Sequence, residues 1–185
     1  MNTKSAIKMV GANPEKGRHE NDFYPTPPEV TYALLQFLSL PKDTTIWEPA
    51  AGEGDMVQAI WDYGHLVVGT DIRFGYDFLT EPMKPCDWII TNPPFSSAEE
   101  FIERCIEHKR PFALLLKSQF WHARKRLDLF YEYPPAYVCP LTWRPDFLFK
   151  VHEGKRSSPL MDVMWCIWHP DAEGVPHYVP LGKAV

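Results

Sequence analysis

The sequence has few cysteines and no arrangement of them that is typical of a metal site. The four cysteines are far apart and form no CxxC pair: Cys86, Cys105, Cys139 and Cys166. This spacing favours neither a zinc site nor a disulfide framework, so we expect no bound metal. We predict that the four residues are buried thiols of a protein in a reducing compartment.

Long apolar runs are also missing. No stretch approaches the roughly 20 residues that a membrane-spanning helix requires, and residues 1–22 lack the apolar centre of a signal peptide. We expect a flexible N-terminal segment, residues 1–22, and then one globular domain, residues 23–185, because a chain of 185 residues with 45% hydrophobic residues can bury a substantial core. The protein is predicted to be soluble and cytoplasmic.

Positive charge is scarce in the chain as a whole, since the formal net charge is −5. The distribution is uneven, however. Residues 104–126 contain seven Lys or Arg residues and one acid, so this stretch carries +6, which leaves −11 for the rest. The stretch could form a basic face that binds a polyanion, or it could be an ordinary solvated helix surface. Both interpretations remain open from the sequence.

The sequence does contain an alternation of strand-like and helix-like segments. Pro27 and Pro28 can open a first helix. Apolar patterns then predict strands at 44–48, 66–71, 86–90 and 112–117 and helices at 55–64, 96–108 and 122–133. Ser96 and Glu99 are a candidate capping box for the helix at 96–108. This order predicts an α/β fold with a doubly wound, mostly parallel sheet.

The last third of the chain lacks this alternation. Residues 136–143 and 161–168 are predicted to be two strands with no helical crossover between them. Strands joined without a crossover pair antiparallel. We therefore expect an antiparallel hairpin at the C-terminal edge of the sheet.

Small and acidic residues follow the first two predicted strands, at the end of the sheet where α/β proteins bind ligands. The first strand ends in EPAAGEG, residues 48–54, and the second ends in Asp71, 19 residues after Gly52. Small residues allow a ligand to approach the backbone, and an acid at this distance can accept hydrogen bonds from ribose hydroxyls. Without a GxGxxG motif, the pair suits a nucleoside that lacks phosphates. Alternatively, Gly52 and Gly54 are ordinary turn glycines and Asp71 is a strand-end cap.

The segment TNPPF, residues 91–95, follows the third strand and is unusual for a strand end. A residue before proline is held in an extended conformation, so neither Asn92 nor Pro93 uses its carbonyl in a helix. The Asn92 amide oxygen, the Pro93 carbonyl and the Phe95 ring together provide two acceptors and one stacking surface. These groups match a planar base that carries an exocyclic NH₂ group. The alternative is a proline turn around a buried phenylalanine.

Five motifs in this order resemble a known family: YPTP before a helix, EPAAGEG after the first strand, TD after the second, DFL at 77–79, and TNPPF. They are similar to the amino-group methyltransferases that use S-adenosylmethionine, and most closely to small phage-type DNA N6-adenine methyltransferases. The match covers roughly residues 22–168. It implies a doubly wound, Rossmann-like methyltransferase sheet. Because the segment between Asp71 and Cys86 is short, this sheet is expected to lack one of the usual seven strands.

The resemblance implies roles for particular residues. Residues from four segments would bind S-adenosylmethionine: Tyr24, Pro25 and Thr26; Glu48, Pro49, Ala50, Gly52 and Gly54; Asp71; and Asp77 with Phe78. Four residues would hold the target adenine and form the catalytic motif: Asn92, Pro93, Pro94 and Phe95. Five basic residues would contact DNA phosphates: Arg124, Lys125, Arg126, Lys155 and Arg156.

The implied activity is methyl transfer to the exocyclic N6 amine of adenine in DNA, with the target base flipped out of the duplex. The chain contains no separate target-recognition domain, which argues against strong sequence specificity. An RNA adenine or a protein glutamine is an alternative substrate, because the same motif can present acceptors to any planar NH₂ group. A binding module that keeps the fold without catalysis is an alternative of another class.

Overall fold

The computed structural model describes residues 24–152, 159, 161–172 and 174–184. The N-terminal segment 1–22 and the basic residues Lys155 and Arg156 lie outside the described residues, so the expectations for them stay predictions. None of the helices in the described part of the chain has the length and apolar character needed to cross a bilayer.

The described chain forms one seven-stranded sheet. Its strands are β1 (Thr45–Glu48), β2 (Leu66–Gly69), β3 (Trp88–Thr91), β4 (Phe112–Lys117), β5 (Tyr137–Pro140), β6 (Val163–Trp168) and β7 (His177–Tyr178). The order across the sheet is β2-β1-β3-β4-β6-β5-β7. Strands β1 to β4 are parallel, whereas β6 is antiparallel to both β4 and β5. The predicted α/β class and the antiparallel β5–β6 hairpin are confirmed.

As expected, the short segment between Asp71 and Cys86 forms no strand of the sheet. Residues 70–87, all of them described, contain a 3₁₀ turn (Ile72–Phe74) and no strand. Strand β2 is therefore an edge strand. The sheet still has seven strands because β7 pairs in parallel with β5, beyond the hairpin. The sequence does not predict β7, since two residues are too few for an alternation of apolar and polar positions to be recognised.

Five α-helices occur in the described residues: α1 (Pro28–Leu38), α2 (Asp55–Tyr63), α3 (Ala98–His108), α4 (Leu127–Glu132) and α5 (Phe149–His152). Helix α1 starts with proline at its first position, as predicted. Helix α2 ends at Gly64, which adopts the left-handed conformation that satisfies the last carbonyls of a helix.

The predicted capping box at the start of α3 is wrong, because α3 has no side-chain cap. The N-cap residue is Ser97, and its side chain makes no capping hydrogen bond. The cause is a 3₁₀ turn at Phe95–Ser97, in which the Ser97 N–H donates to the Pro94 carbonyl and delays the start of the α-helix. The Glu99 carboxylate pairs instead with Lys125 and Arg126.

Two hydrophobic cores lie on opposite faces of the sheet. One packs α1 against residues such as Ile90, Leu115 and Trp165, and the other packs α3 against Ile89 and Leu116 among others. Successive residues of β3 and β4 alternate between these cores, as the two-residue period of a strand requires. A strand buried on both faces reads as a continuous apolar run, which explains the sequence FALLLK.

The four cysteines are buried free thiols, as predicted. Burial raises the pKa of Cys86 to about 11 and that of Cys139 to about 12. Protonated, inaccessible thiols are poor nucleophiles, so they act as apolar core residues. No group of three or more His, Cys, Asp or Glu side chains that could hold a metal ion occurs within the described ranges.

Candidate active site

A cavity of about 280 Å³ lies at the carboxyl ends of β1 and β3, beside the residues that follow β2. Eight residues that the sequence analysis assigned to the site line it: Tyr24, Pro25, Thr26, Glu48, Ala50, Asp71, Asn92 and Pro94. These residues come from four separate segments of the chain. The structure therefore brings the loop before α1 and the ends of three neighbouring strands together around one space.

Five further residues line the cavity: Ala51, Asp55, Met56, Ile72 and Arg73. Ala51 belongs to the EPAAGEG motif. Asp55 and Met56 form the first turn of α2, and Ile72 and Arg73 directly follow Asp71. The signal that could have found the other four residues is their place just after a motif, where the chain begins its next helix or turn.

The EPAAGEG turn is shaped by two glycines and anchored by Asp71. Gly52 and Gly54 have φ values of 57° and 92°, in the left-handed region that non-glycine residues rarely adopt. The Gly52 N–H donates to Asp71 Oδ2 at 2.7 Å. Neither glycine lines the cavity, and Pro49 does not line it either. The two glycines form the turn that brings Ala50 and Ala51 to the cavity wall. This agrees with the alternative interpretation, in which they are ordinary turn glycines.

Asp71 holds the turn and lines the cavity at the same time. Its Oδ1 accepts hydrogen bonds from the Arg73 backbone N–H at 2.9 Å and from Arg73 Nε at 3.1 Å, while its Oδ2 accepts the bond from Gly52. An ionised carboxylate can accept about four hydrogen bonds. The carboxylate therefore keeps capacity for a ligand hydroxyl, in addition to its role as the cap of the 3₁₀ turn.

Glu48 contributes a carboxyl group that is almost completely buried, with 1% of the residue exposed. Its Oε1 accepts hydrogen bonds from the Ala50 N–H at 2.9 Å and from Thr91 Oγ1. Its Oε2 is buried and has no hydrogen-bond partner among the described residues. Burial, with a smaller contribution from the charge of Asp71, raises the pKa of Glu48 to about 8. The carboxyl is therefore protonated at neutral pH.

The Asn92 side chain is held in one orientation. Its Nδ2 donates to the Tyr24 carbonyl at 3.1 Å and to Thr26 Oγ1 at 3.0 Å. The Tyr24 carbonyl can only accept, so it identifies the NH₂ side of the amide, and the Thr26 hydroxyl accepts from the same group. The opposite atom, Oδ1, is buried and without a hydrogen-bond partner in the described part of the chain. A residue of the cavity wall thus carries a buried acceptor that no described group satisfies.

Aromatic rings stand beside Asn92. The centroids of the Tyr24 and Phe95 rings are 5.6 Å apart, and the Tyr24 ring meets Phe147 edge-on at 6.3 Å. Phe95 is only partly buried, so the alternative of a proline turn around a buried phenylalanine does not describe it. Of the four residues of the predicted catalytic motif, Asn92 and Pro94 line the cavity, whereas Pro93 and Phe95 do not. Pro93 is buried, and the Pro94 carbonyl is occupied by the Ser97 N–H. The Pro93 carbonyl is therefore the better candidate for a second acceptor.

Phe78 is placed away from the cavity and requires a correction. The residue is 2% exposed, and its ring packs in a core cluster with Trp47 and Phe101 at centroid distances of 5.2 and 4.8 Å. A side chain enclosed in this way does not stack on a ligand in the cavity. Asp77 does not line the cavity either, and its Oδ1 accepts a hydrogen bond from the Leu79 N–H.

The predicted basic cluster, Arg124 to Arg126, lies on a face of mixed charge. Lys125 and Arg126 both pair with Glu99, at 2.7 and 3.2 Å, and these pairs hold the pKa of Glu99 below its ordinary value. The Arg126 guanidinium also donates to the Phe120 carbonyl. Lys125 lines a groove between α3 and α4 together with five acidic residues: Glu99, Glu103, Glu107, Asp128 and Glu132. Arg124 is exposed, and none of the three basic residues lines the cavity.

No family model and no curated protein matches the sequence. Solved structures match the fold. A putative class I S-adenosylmethionine-dependent methyltransferase from Listeria monocytogenes is 15% identical with a TM-score of 0.56, over 95% of this chain and 72% of that chain. A methyltransferase subunit of a type I restriction-modification system from Streptococcus thermophilus is 14% identical with a TM-score of 0.62, over 84% and 46% of the two chains.

A modification subunit of a putative type I restriction enzyme from Vibrio vulnificus YJ016 is 12% identical with a TM-score of 0.58, over 97% of this chain and 53% of that chain. The chain thus spans about half the length of the two restriction-system subunits that it matches. At these identities the comparisons concern the fold alone. The chain has the Rossmann-like fold of these methyltransferases.

Proposed function

We propose that the chain transfers a methyl group from S-adenosylmethionine to the exocyclic N6 amine of adenine in DNA. The observation that carries this proposal is the state of Asn92. Its NH₂ group is used internally, its Oδ1 is buried without a hydrogen-bond partner among the described residues, and the residue itself lines the cavity. An acceptor fixed beside partly exposed aromatic rings fits a planar substrate with an amino group.

The cavity fits S-adenosylmethionine in charge and polarity. Carboxyl groups of Glu48, Asp55 and Asp71 stand on its wall, and apolar side chains of Met56 and Ile72 stand beside them. The Asp71 carboxyl suits the ribose hydroxyls, and the Asp55 carboxyl suits a cationic group of the cofactor. Glu48 is neutral and can exchange hydrogen bonds only, and the apolar residues suit the planar base. When bound, this cofactor supplies an electrophilic methyl group. The residues Tyr24, Pro25 and Thr26 would enclose its methionine part.

The residues of the chain then position the amine. Asn92 Oδ1 and the Pro93 carbonyl would accept the two hydrogens of the substrate NH₂ group. Held in this way, the nitrogen can become pyramidal and direct its lone pair into the cavity, although its lone pair is delocalised in the free base. Asn92 is neutral, so this arrangement requires no ionised base before the transfer. The products would be the N-methylated base and S-adenosylhomocysteine, with the extra proton of the nitrogen lost to solvent after the transfer. The Phe95 ring would replace the stacking partners that a flipped base loses.

The proteins of similar structure support a nucleic-acid substrate. Two of them are subunits of type I restriction-modification systems, and a dimethyladenosine transferase from Plasmodium falciparum has a TM-score of 0.55 at 12% identity. The motif order, which is most similar to that of phage-type enzymes, favours DNA over RNA. RNA adenine and protein glutamine are the substrates against which the proposal is tested.

The direct test is incubation of the purified chain with radiolabelled S-adenosylmethionine and four substrates in parallel. These are duplex DNA, single-stranded DNA, RNA and a protein extract, followed by digestion of the product and identification of the methylated residue. We expect N6-methyladenine in DNA. Label found only in RNA or in glutamine would contradict the DNA assignment, and failure to bind the cofactor would favour a non-catalytic binding module.

Asp71→Ala is expected to weaken cofactor binding by about 10- to 100-fold, because it removes a charged acceptor worth about 1.5 to 3 kcal/mol and also the anchor of the Gly52 turn. Isothermal calorimetry measures the effect. The matched control is Asp77→Ala, since Asp77 also binds a backbone N–H two residues ahead but does not line the cavity. An unchanged affinity in Asp71→Ala would contradict the assigned role, and a large loss in Asp77→Ala would restore the adenine-flanking role of that residue.

Arg124→Ala combined with Lys125→Ala is expected to reduce the salt dependence of DNA binding by about two units of slope, one for each phosphate contact. Lys125 can exchange its partner because 68% of its side chain is exposed and surface ion pairs are weak. Fluorescence anisotropy at several salt concentrations gives the slope. Arg126→Ala is the comparison, and it should lower stability because its guanidinium binds Glu99 and the Phe120 carbonyl. If the double variant keeps the salt dependence of the parent chain, this face is only a solvated surface.

A further inference from the structure

Lys150 lies in α5 and reaches back to the turn that follows β1. Its Nζ lies 2.7 Å from Asp55 Oδ1 and 2.8 Å from Asp55 Oδ2, and it donates to Glu53 Oε2 at 2.9 Å. Glu53 belongs to the EPAAGEG motif, and Asp55 lines the cavity. A side chain from the last third of the chain is therefore tied to the wall of the candidate active site.

Phe147, three residues before Lys150, contacts a different part of that wall. It is 3% exposed, and its ring meets the Tyr24 ring edge-on at 6.3 Å. Tyr24 lines the cavity from the loop before α1. Residues 147–150, which we call the strap, therefore connect two segments of the cavity wall that are distant in the sequence. Neither Phe147 nor Lys150 lines the cavity, so the strap contacts the walls and not the enclosed space.

The two ends of the strap are held by interactions of different strength. Phe147 is part of the hydrophobic core that packs α1 against the sheet, and removal of a large ring from such a core is costly. The side chains of Lys150 and Glu53 are 41% and 56% exposed, and ion pairs at exposed positions are weak and screened by salt. Phe147 is therefore the fixed end of the strap, and Lys150 is the end that can be released.

Asp55 belongs both to the ion pair and to the cavity wall. Its side chain is 16% exposed, and Lys150 engages both of its oxygens. It is also the first residue of α2, at the point where the EPAAGEG turn passes into the helix. The intact ion pair therefore holds α5 against this part of the wall.

Building on the proposed binding of S-adenosylmethionine, we infer that the Lys150 ion pair is a latch that controls exchange of the cofactor. With the pair intact, the strap holds the loop of Tyr24 and the first turn of α2 together, and the ligand enters and leaves when the pair opens. A latch of this kind slows entry and exit alike, so it changes the affinity little. Loss of the Lys150 ammonium should therefore accelerate both steps.

The experiment measures association and dissociation of S-adenosylhomocysteine with the full chain by stopped-flow tryptophan fluorescence, at several salt concentrations and without a methyl acceptor. Lys150→Met keeps the apolar stem and removes the charge, and Lys150→Arg restores it. The matched control is Lys183→Met, since Lys183 pairs with Glu29 of α1 at 3.4 Å and neither residue lines the cavity. In Lys150→Met we expect both rates to rise about fivefold at low salt, with an affinity within about twofold of the parent. The parent rates should rise with salt toward those of this variant.

Lys150→Arg should restore the parent rates, and Lys183→Met should keep them. The inference is overturned if Lys150→Met exchanges the ligand at the parent rates, if Lys183→Met accelerates exchange equally, or if the parent chain does not bind S-adenosylhomocysteine. Faster dissociation alone also overturns it, because Lys150 would then stabilise the bound state. Faster association alone does so too, because Lys150 would then only weaken the attraction of the ligand to Asp55.

These outcomes are separate from those that test the proposed function. The rates are measured without turnover, so a chain that shows the latch but methylates no DNA contradicts the proposed function alone. A chain that methylates DNA but keeps the parent exchange rates in Lys150→Met contradicts the latch alone.

Discussion

Asn92→Ala is expected to reduce the rate of methyl transfer by roughly 10²-fold or more, while cofactor affinity changes little. The substitution removes Oδ1, the buried acceptor that would hold the substrate amine. It also removes the two hydrogen bonds to Tyr24 and Thr26. The prolines next to Tyr24 and Thr26 in the chain still restrict the backbone conformation of this loop. Single-turnover kinetics with radiolabelled cofactor measure the rate, and calorimetry measures cofactor binding.

Thr26→Val separates positioning of the amide from the chemistry of its oxygen. This variant removes one of the two acceptors that hold Asn92 Nδ2, but the Tyr24 carbonyl remains. We therefore expect a loss of rate of less than about tenfold, in line with one neutral hydrogen bond. Near-normal turnover in Asn92→Ala would exclude the acceptor role. An equal loss in both variants would mean that orientation of the loop, and not the oxygen, limits the rate.

The sequence indicates the site well because its motifs depend on local chemistry. Two prolines after Asn92 restrict the backbone whatever surrounds them, and the glycines at 52 and 54 permit a turn that few other residues can form. The carboxyl ends of parallel strands meet at one edge, so motifs that are distant in the chain converge there. For this reason eight of the predicted residues line one cavity.

The features that the sequence does not predict depend on contacts between distant segments. Phe78 follows Asp77 in a motif, yet it packs with Trp47 and Phe101, and only the tertiary fold determines this burial. Similarly, Glu99 neutralises basic residues that lie more than 25 positions along the chain. A count of charges in a linear stretch cannot include such a partner, which explains why the residues that could have formed a basic face lie on a face of mixed charge.

Glu48→Gln is expected to remove a large dependence of folding stability on pH. The pKa of Glu48 is about 8 in the folded chain, against 4.5 for an unperturbed glutamate, so the folded state binds the proton more tightly than the unfolded state. The contribution of this group to stability is therefore complete below pH 4.5 and is lost as the pH rises to about 8. From pH 5 to pH 9 the loss is about 4 kcal/mol. Urea unfolding at several pH values, without ligand, measures it.

Glutamine is a close copy of the protonated acid. It keeps an oxygen to accept the bonds from Ala50 and Thr91, and it places a neutral NH₂ group where Oε2 lies. The variant should therefore match the parent near pH 5 and exceed it by about 4 kcal/mol at pH 9. Glu100→Gln, the same substitution on an exposed side chain of α3, should follow the parent at every pH. If Glu48→Gln also follows the parent, the carboxyl ionises in the folded chain at an ordinary pH, and the cavity must admit enough water to solvate it.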